Sequence, residues 1–150
     1  MVRSWSMGWL IVLLGIVACS TSPRQARSEP GQPTGGDKYR IEVQAQPVRA
    51  GAKGKLKVVF HPAKGYKWNE QFHATFELAQ TDAGAVRFAQ QKFDRGAFKV
   101  EGKQGVLEVP FEARKAGRAK ATATASFSMC NDETCLIFRD KKVEVSVAVE

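Results

Sequence analysis

From Lys38 to the last residue, apolar side chains recur at every second position, and no other feature constrains the fold as strongly. Tyr39, Ile41, Val43 and Ala45 alternate with Arg40, Glu42 and Gln44. Leu56, Val58 and Phe60 alternate with Lys57, Val59 and His61, and Phe72, Ala74, Phe76 and Leu78 with His73, Thr75 and Glu77. The same rhythm returns in Leu107-Val109-Phe111, in Ala119 to Phe127 and in Val143 to Val149. A period of two places successive side chains on opposite faces, so these runs predict strands with one dry and one wet face. No segment of this region sustains a helical period. Turn residues separate the runs at Arg49-Ala50-Gly51, Lys64-Gly65, Asp82-Ala83-Gly84, Gly102 to Gly105 and Ala116-Gly117. Short strands at this spacing predict an all-β fold, an immunoglobulin-like antiparallel β-sandwich over 38–150. Pro110 lacks an N–H and predicts an edge or a bulge. Val86 to Val100 is the least regular stretch and predicts a long loop with short strands.

The amino-terminal region follows different rules. Arg3 precedes an apolar run, Trp9 to Ala18, of signal-peptide length and short for a membrane span. The run ends in Ile16-Val17-Ala18-Cys19, which resembles a bacterial lipobox: cleavage before Cys19, whose thiol carries the lipid. Residues 1–18 are therefore expected to be a lipoprotein signal peptide. Residues 19–37, rich in Ser, Pro, Gly and Gln and without large apolar side chains, are expected to be a flexible lipid-anchored linker. The membrane partner is reached through the lipid on Cys19. Ser20, in place of an Asp, favours the outer membrane of a bacterial envelope, with the domain facing the periplasm.

The formal net charge is +8, falling by one when Arg3 leaves with the signal. Lys38, Arg40, Lys55, Lys57, Arg87, Lys99, Arg118 and Lys120 are scattered singly along strands without interleaved aromatics, a solvated basic surface rather than a nucleic-acid face. No phosphate-cradling glycine motif is present, and Asp132 and Glu133 are adjacent, so their side chains diverge rather than converge on a reacting atom. Met129, Cys130, Cys135, His61 and His73 are soft or borderline ligand types. Cys-x4-Cys is not a zinc spacing and lacks a second pair, so no metal and no cofactor are expected. His61 and His73 read as solvent-facing strand residues, and Tyr66 and Trp68 as rings packed over one end of the sandwich.

Three cysteines leave an even pair once Cys19 is lipidated, and Cys130 and Cys135, with four residues between them, stand near the carboxyl terminus. A loop this short closed by a disulfide gains only about 2 kcal/mol of chain entropy, so stability alone does not account for the pair. If the strand through Met129 runs one residue further, Cys130 falls on the Ser126/Ser128 face, away from the core and open to another protein's thiolate. Asp132 and Glu133 between the cysteines disfavour a thiolate. Arg139, Lys141 and Lys142 offset them only if the fold brings these residues back.

Val106 to Phe111, Gly117, Ala121 to Met129, Cys130-Asn131-Asp132, Cys135 and Val143 to Val149 together resemble the end of the amino-terminal periplasmic domain of the bacterial thiol:disulfide interchange reductase family (DsbD). Leu56 to Phe60 with Gly65-Tyr66 resembles an early strand and turn of the same domain. The resemblance implies an immunoglobulin-like domain in which Cys130 and Cys135 are the redox pair. It implies as partners a membrane electron carrier and periplasmic thioredoxin-like oxidoreductases. It also implies an aromatic cap over the pair, for which Phe93 lies in the corresponding region. The cysteine spacing is one residue shorter than the family's, and Ile137-Phe138 replace prolines after the second cysteine. The family's membrane-spanning and thioredoxin-like parts are missing from this sequence, so a free-standing copy is expected either to have lost electron transfer or to use a separately encoded partner. Two function classes follow: an envelope lipoprotein whose cysteine pair takes part in periplasmic thiol-disulfide exchange, or a non-catalytic lipid-anchored sandwich that binds a protein and uses the disulfide only to close a loop.

Overall fold

Each alternating run becomes a strand with its apolar side turned inward. The structure, a computed structural model, describes residues 34–150; the expected signal peptide, the expected lipid acceptor Cys19 and the expected linker up to residue 33 lie outside the described residues. In chain order the strands are β1 (Thr34–Gly36), β2 (Tyr39–Ala45), β3 (Lys53–Pro62), β4 (Lys67–Trp68), β5 (Thr75–Leu78), β6 (Val86–Phe88), β7 (Lys92–Phe93), β8 (Phe98–Glu101), β9 (Gln104–Ala113), β10 (Gly117–Cys130) and β11 (Cys135–Val149). One sheet has the order β1-β2-β3-β9-β6, with β8 also on β9; the other has the order β11-β10-β5-β7, with β4 also on β10. Every strand pair is antiparallel. Strand neighbours β2-β3-β9-β6 and β11-β10-β5 reproduce the A-B-E-D and G-F-C sheets of an immunoglobulin-type sandwich.

The two inner faces form one core. Ile41, Val43, Leu56, Val58, Phe60, Leu107, Val109 and Phe111 come from the first sheet; Phe76, Leu78, the alternate alanines of β10, Phe127, Met129 and the valines of β11 come from the second. The seam between the sheets closes at the chain's end. Val48 forms a parallel bridge with Val149, and the Glu150 amide donates to the Val48 carbonyl at 2.8 Å.

At the other end of the sandwich the filling is aromatic. Trp68 stacks on Phe98 of the first sheet (ring centroids 5.3 Å, planes 25° apart) and on Phe127 of the second (5.9 Å, 14°). Phe60 lies 5.3 Å from Trp68 and 5.0 Å from Phe127, while Tyr39 and Phe138 close the cluster at 5.2 and 5.1 Å from Phe127. Trp68 is 5% exposed, and its amide donates to the Lys103 carbonyl at 2.9 Å. The indole lies so close over Gly105 that a Cβ there would overlap its ring atoms. Tyr66 and Trp68 thus pack at one end of the sandwich, as their place beside the Gly65 turn suggests, with Tyr66 only half-buried.

Four features differ from the sequence expectation. Thr34–Gly36, at the end of the expected linker, is a strand that pairs with Tyr39–Ile41. Pro110 is at neither an edge nor a bulge. It falls where β9 changes partner from β8 (through Leu107) to β6 (from Phe111), and its carbonyl accepts from Ala89 on that side. In an antiparallel ladder a residue's N–H and C=O point the same way, so the missing N–H faces the gap between the two short strands. The last strand starts at Cys135, not Val143, because a bulge shifts its phase. Ala125 opposes Lys141 but Phe127 opposes Phe138, so Arg139 and Asp140 share the single partner Ser126. Asp140 takes φ 51°, and its amide donates to Ser126 Oγ at 3.1 Å.

The outer face of the first sheet is the fourth. Val59 and Val106 oppose each other there and are buried. His61 is half-buried rather than solvent-facing, held by Glu42 Oε2 at 3.1 Å and Gln104 Nε2 at 2.9 Å. Lys57–Glu101 and Lys55–Glu108 pairs, at 2.8 and 3.1 Å, complete the polar covering.

Replacing Gly105 with Ala is expected to lower stability by about 2 kcal/mol through overpacking against Trp68. Gly36→Ala, with nothing near its Cβ, should stay within about 0.5 kcal/mol of wild type; urea midpoints at constant m check both. The hydrogen bond from Gln44, aided by His61 and Arg40 against the cost of burial, holds the Glu42 carboxyl below the usual carboxylate value. Lys55, then Lys99, does the same for Glu108. A depressed folded-state pKa means the unfolded chain takes up protons first. This stabilisation is complete above the unfolded glutamate value of about 4.3 and is lost as pH falls through the folded values. Glu42→Gln should therefore flatten the acid limb of a stability–pH curve.

Candidate functional site

The rim of the sandwich above the aromatic cluster is formed by the turn that joins β10 to β11. Asn131 shapes it: its amide donates to the Thr134 carbonyl at 2.9 Å, and its Oδ1 accepts from the Glu133 and Thr134 amides at 3.0 and 2.7 Å. An asparagine that bonds its own following backbone makes a tight turn without a glycine. Because the backbone bond from the Asn131 amide to the Thr134 carbonyl closes the turn, Cys130 and Cys135 form the next, non-hydrogen-bonded pair, the position where cross-strand side chains come closest. Their Cα atoms are 4.0 Å apart and their sulfurs are bonded at 2.01 Å.

Alternation then decides which way the disulfide faces. Met129 points into the core and is fully buried, so Cys130 shares the outer face with Ser128, as its parity suggests. Cys130 is half-buried and Cys135 exposed. That outer face is not uniformly wet, however: Ser128 is 1% exposed and its hydroxyl has no protein hydrogen-bond partner. Beyond Cys135 on the same face stands Ile137, opposite Ser128 and 52% exposed, while its neighbour Phe138 turns inward onto Phe127 and Tyr39.

Phe93 does not cap the pair. It is a core residue on β7, 3% exposed, with its ring 6.3 Å from Phe76. Phe76 in turn opposes Ala125, which by strand rise is about 16 Å down β10 from Cys130. The irregular segment that holds Phe93 carries it inward as part of the second sheet, because β7 pairs with β5.

Charge at the rim is also arranged differently from the expectation. Arg139 sits in the bulge opposite Ser126, and Lys141 and Lys142 oppose Ala125 and Thr124, so none of them returns to the cysteines. The cation that does lie beside the pair is Lys67, directly opposite Cys130 in the β4–β10 ladder. Asp132 and Glu133 are exposed at the tip of the turn. No sequence signal marks Lys67, since a two-residue strand after the Gly65-Tyr66 turn carries no period of its own. Only the long-range pairing reveals its place. Among the soft ligand types, Met129 is in the core, His61 is engaged by Glu42 and Gln104, and His73 is exposed on the segment before β5. Among the described residues no three His, Cys, Asp or Glu side chains gather as metal ligands would.

No family model and no curated protein matches the chain. Among solved structures it is similar to the CooA pilin subunit from enterotoxigenic Escherichia coli at 11% identity, over 70% of this chain and 89% of that one, with a TM-score of 0.30.

The disulfide closes a hairpin already tied by Asn131 and anchored from below by Phe127 and Phe138. Reduction is expected to cost about 2 kcal/mol, the loop-closure estimate for about six residues, and to leave the fold intact. Urea titrations with and without a phosphine reductant, read by tryptophan fluorescence, measure the difference.

Proposed function

We propose that this chain is a lipid-anchored envelope protein whose Cys130–Cys135 pair cycles between disulfide and dithiol in periplasmic thiol-disulfide exchange. The carrying observation is the outward-facing disulfide at the hairpin rim, with Cys135 exposed and the exposed apolar side chain of Ile137 beside it. A visiting protein needs both an open line to sulfur and something to rest on. This rim offers the one and the other on a rigid support, since β10 and β11 are held from beneath by stacked rings. The signal-like run, the lipobox-like Ile16-Val17-Ala18-Cys19 and Ser20 support delivery to the periplasmic side of the envelope, with the outer membrane favoured. The resemblance to the DsbD amino-terminal domain supports the same direction of electron flow, from a membrane carrier to thioredoxin-like oxidoreductases.

A thiolate of the reducing partner attacks one sulfur of the pair; a mixed disulfide forms, the Cys130–Cys135 bond breaks, and its electron pair leaves on the other sulfur. The partner's second thiolate then attacks the mixed bond and releases this protein as a dithiol. The partner is left oxidised, and two electrons have moved. The reverse sequence with an oxidised acceptor restores the disulfide.

The reduction potential separates this reading from a purely structural bridge in a binding module. Equilibration in glutathione buffers is expected to place it between about −270 and −120 mV, the range of thioredoxin-like partners. Cys130→Ser or Cys135→Ser should accumulate a mixed disulfide with an envelope protein on non-reducing gels, collapsing with reductant. A potential below about −300 mV, with no trapped species from either variant, overturns the proposal in favour of the structural bridge.

A further inference from the structure

The geometry points to Lys67 as the residue that stabilises the Cys130 thiolate whenever the pair is reduced. This deepens the exchange reading and rests on it for its purpose. Lys67 stands directly across from Cys130 in the β4–β10 ladder, whose register is continued where the Asn69 amide donates to the Ser128 carbonyl at 3.0 Å. Residues directly opposed in an antiparallel ladder point to the same face, with Cβ atoms about 5.5 Å apart. An ammonium on its flexible stem spans that gap readily. Lys67 is exposed, and it forms no ion pair with a carboxylate among the described residues.

The remaining charges near the pair are few. Asp132 and Glu133 are exposed in the turn between the cysteines, Glu70 lies beyond β4, and Lys103 approaches β4 by a backbone bond to Trp68. On β11 the first charged side chain after Cys135 is Arg139, about 13 Å along the strand. Asp132 lies two residues after Cys130 and Glu133 two before Cys135, so the turn's carboxylates are placed evenly about the pair. Lys67 is not placed evenly: β4 pairs with β10 beside Cys130, whereas among the described residues no strand pairs with β11 on the far side of Cys135. Half-burial of Cys130 strengthens the coupling by thinning the solvent between the charges. A cation beside a thiol favours its thiolate, and a stabilised thiolate leaves a disulfide faster. When the bond opens, the electron pair is therefore held on the Cys130 sulfur.

The test uses the full chain in detergent, reduced. Cys135→Ser leaves Cys130 as the hairpin's one thiol, and Cys130→Ser leaves Cys135. The rate of iodoacetamide alkylation against pH gives the ionisation midpoint of each. Lys67→Gln is expected to raise the Cys130 midpoint by about half a unit to one unit and the Cys135 midpoint by distinctly less, and Lys67→Arg to keep both near wild type. An unmoved Cys130 midpoint, or equal movement of both, overturns the assignment. Should a single-thiol variant fail to fold, ultraviolet thiolate absorbance of the reduced two-cysteine protein with and without Lys67→Gln decides, identical titrations overturning it. Failure of the exchange reading shows separately, as absence of a mixed disulfide, and does not touch this measurement.

Discussion

The packing of Trp68 between Phe98 and Phe127 is the contact on which the working end of the molecule depends. One ring reaches both sheets, so the distance between them at this end is set by aromatic thickness rather than by aliphatic side chains that adjust more freely. The absence of a side chain at Gly105 is part of the same contact. From Phe127 the stack passes to Phe138 on β11, and through these two strands to the turn above. The rim is therefore braced by the core, although Cys135 and the turn residues Asp132 to Thr134 are exposed.

A consequence is that the two jobs of this end are carried by opposite faces of the same residues' neighbours. Met129, Phe127 and Phe138 secure the interior, while Cys130, Cys135 and Ile137, interleaved with them, look outward. Substitutions on one face leave the other's chemistry in place, because strand alternation keeps the two sets apart. The pairing of β4 with the last residues of β10 adds the third ingredient, a lysine directly opposite Cys130. Shape, exposure and charge at the site thus come from three separate parts of the chain.

Where the alternating pattern was strong, the sequence carried the architecture: the runs in β2, β3, β9 and β10 and the valines of β11 fall on the faces their parity assigns. The outward position of Cys130 was legible for the same reason. What escaped was what alternation cannot encode. Leu136 and Phe138 are in phase with each other but out of phase with Val143, and the bulge at Arg139-Asp140 reconciles them, so the first half of β11 was invisible as strand. Phe93 looked available because its segment lacked a period, yet a two-residue strand is enough to draw it into the core. His61 and Val59 sit on a nominally wet face that is covered by cross-strand polar pairs, a property of four strands together. Lys67 became meaningful only through a partner far along the chain.

The same bulge bears on how the molecule meets others of its kind. β11 is long and lies at the margin of its sheet, bridged on its far side at Val149 by Val48. A straight, uninterrupted margin would offer a run of unsatisfied amides and carbonyls on which a neighbouring chain could extend the sheet. Midway along it, Asp140 in a left-handed conformation twists the backbone, and Lys141, opposite the core residue Ala125, sets a charge on the inward side. Any incoming strand would lose its register there and bury an ammonium to continue. The irregularity that hid this strand in the sequence thus guards against edge-to-edge aggregation.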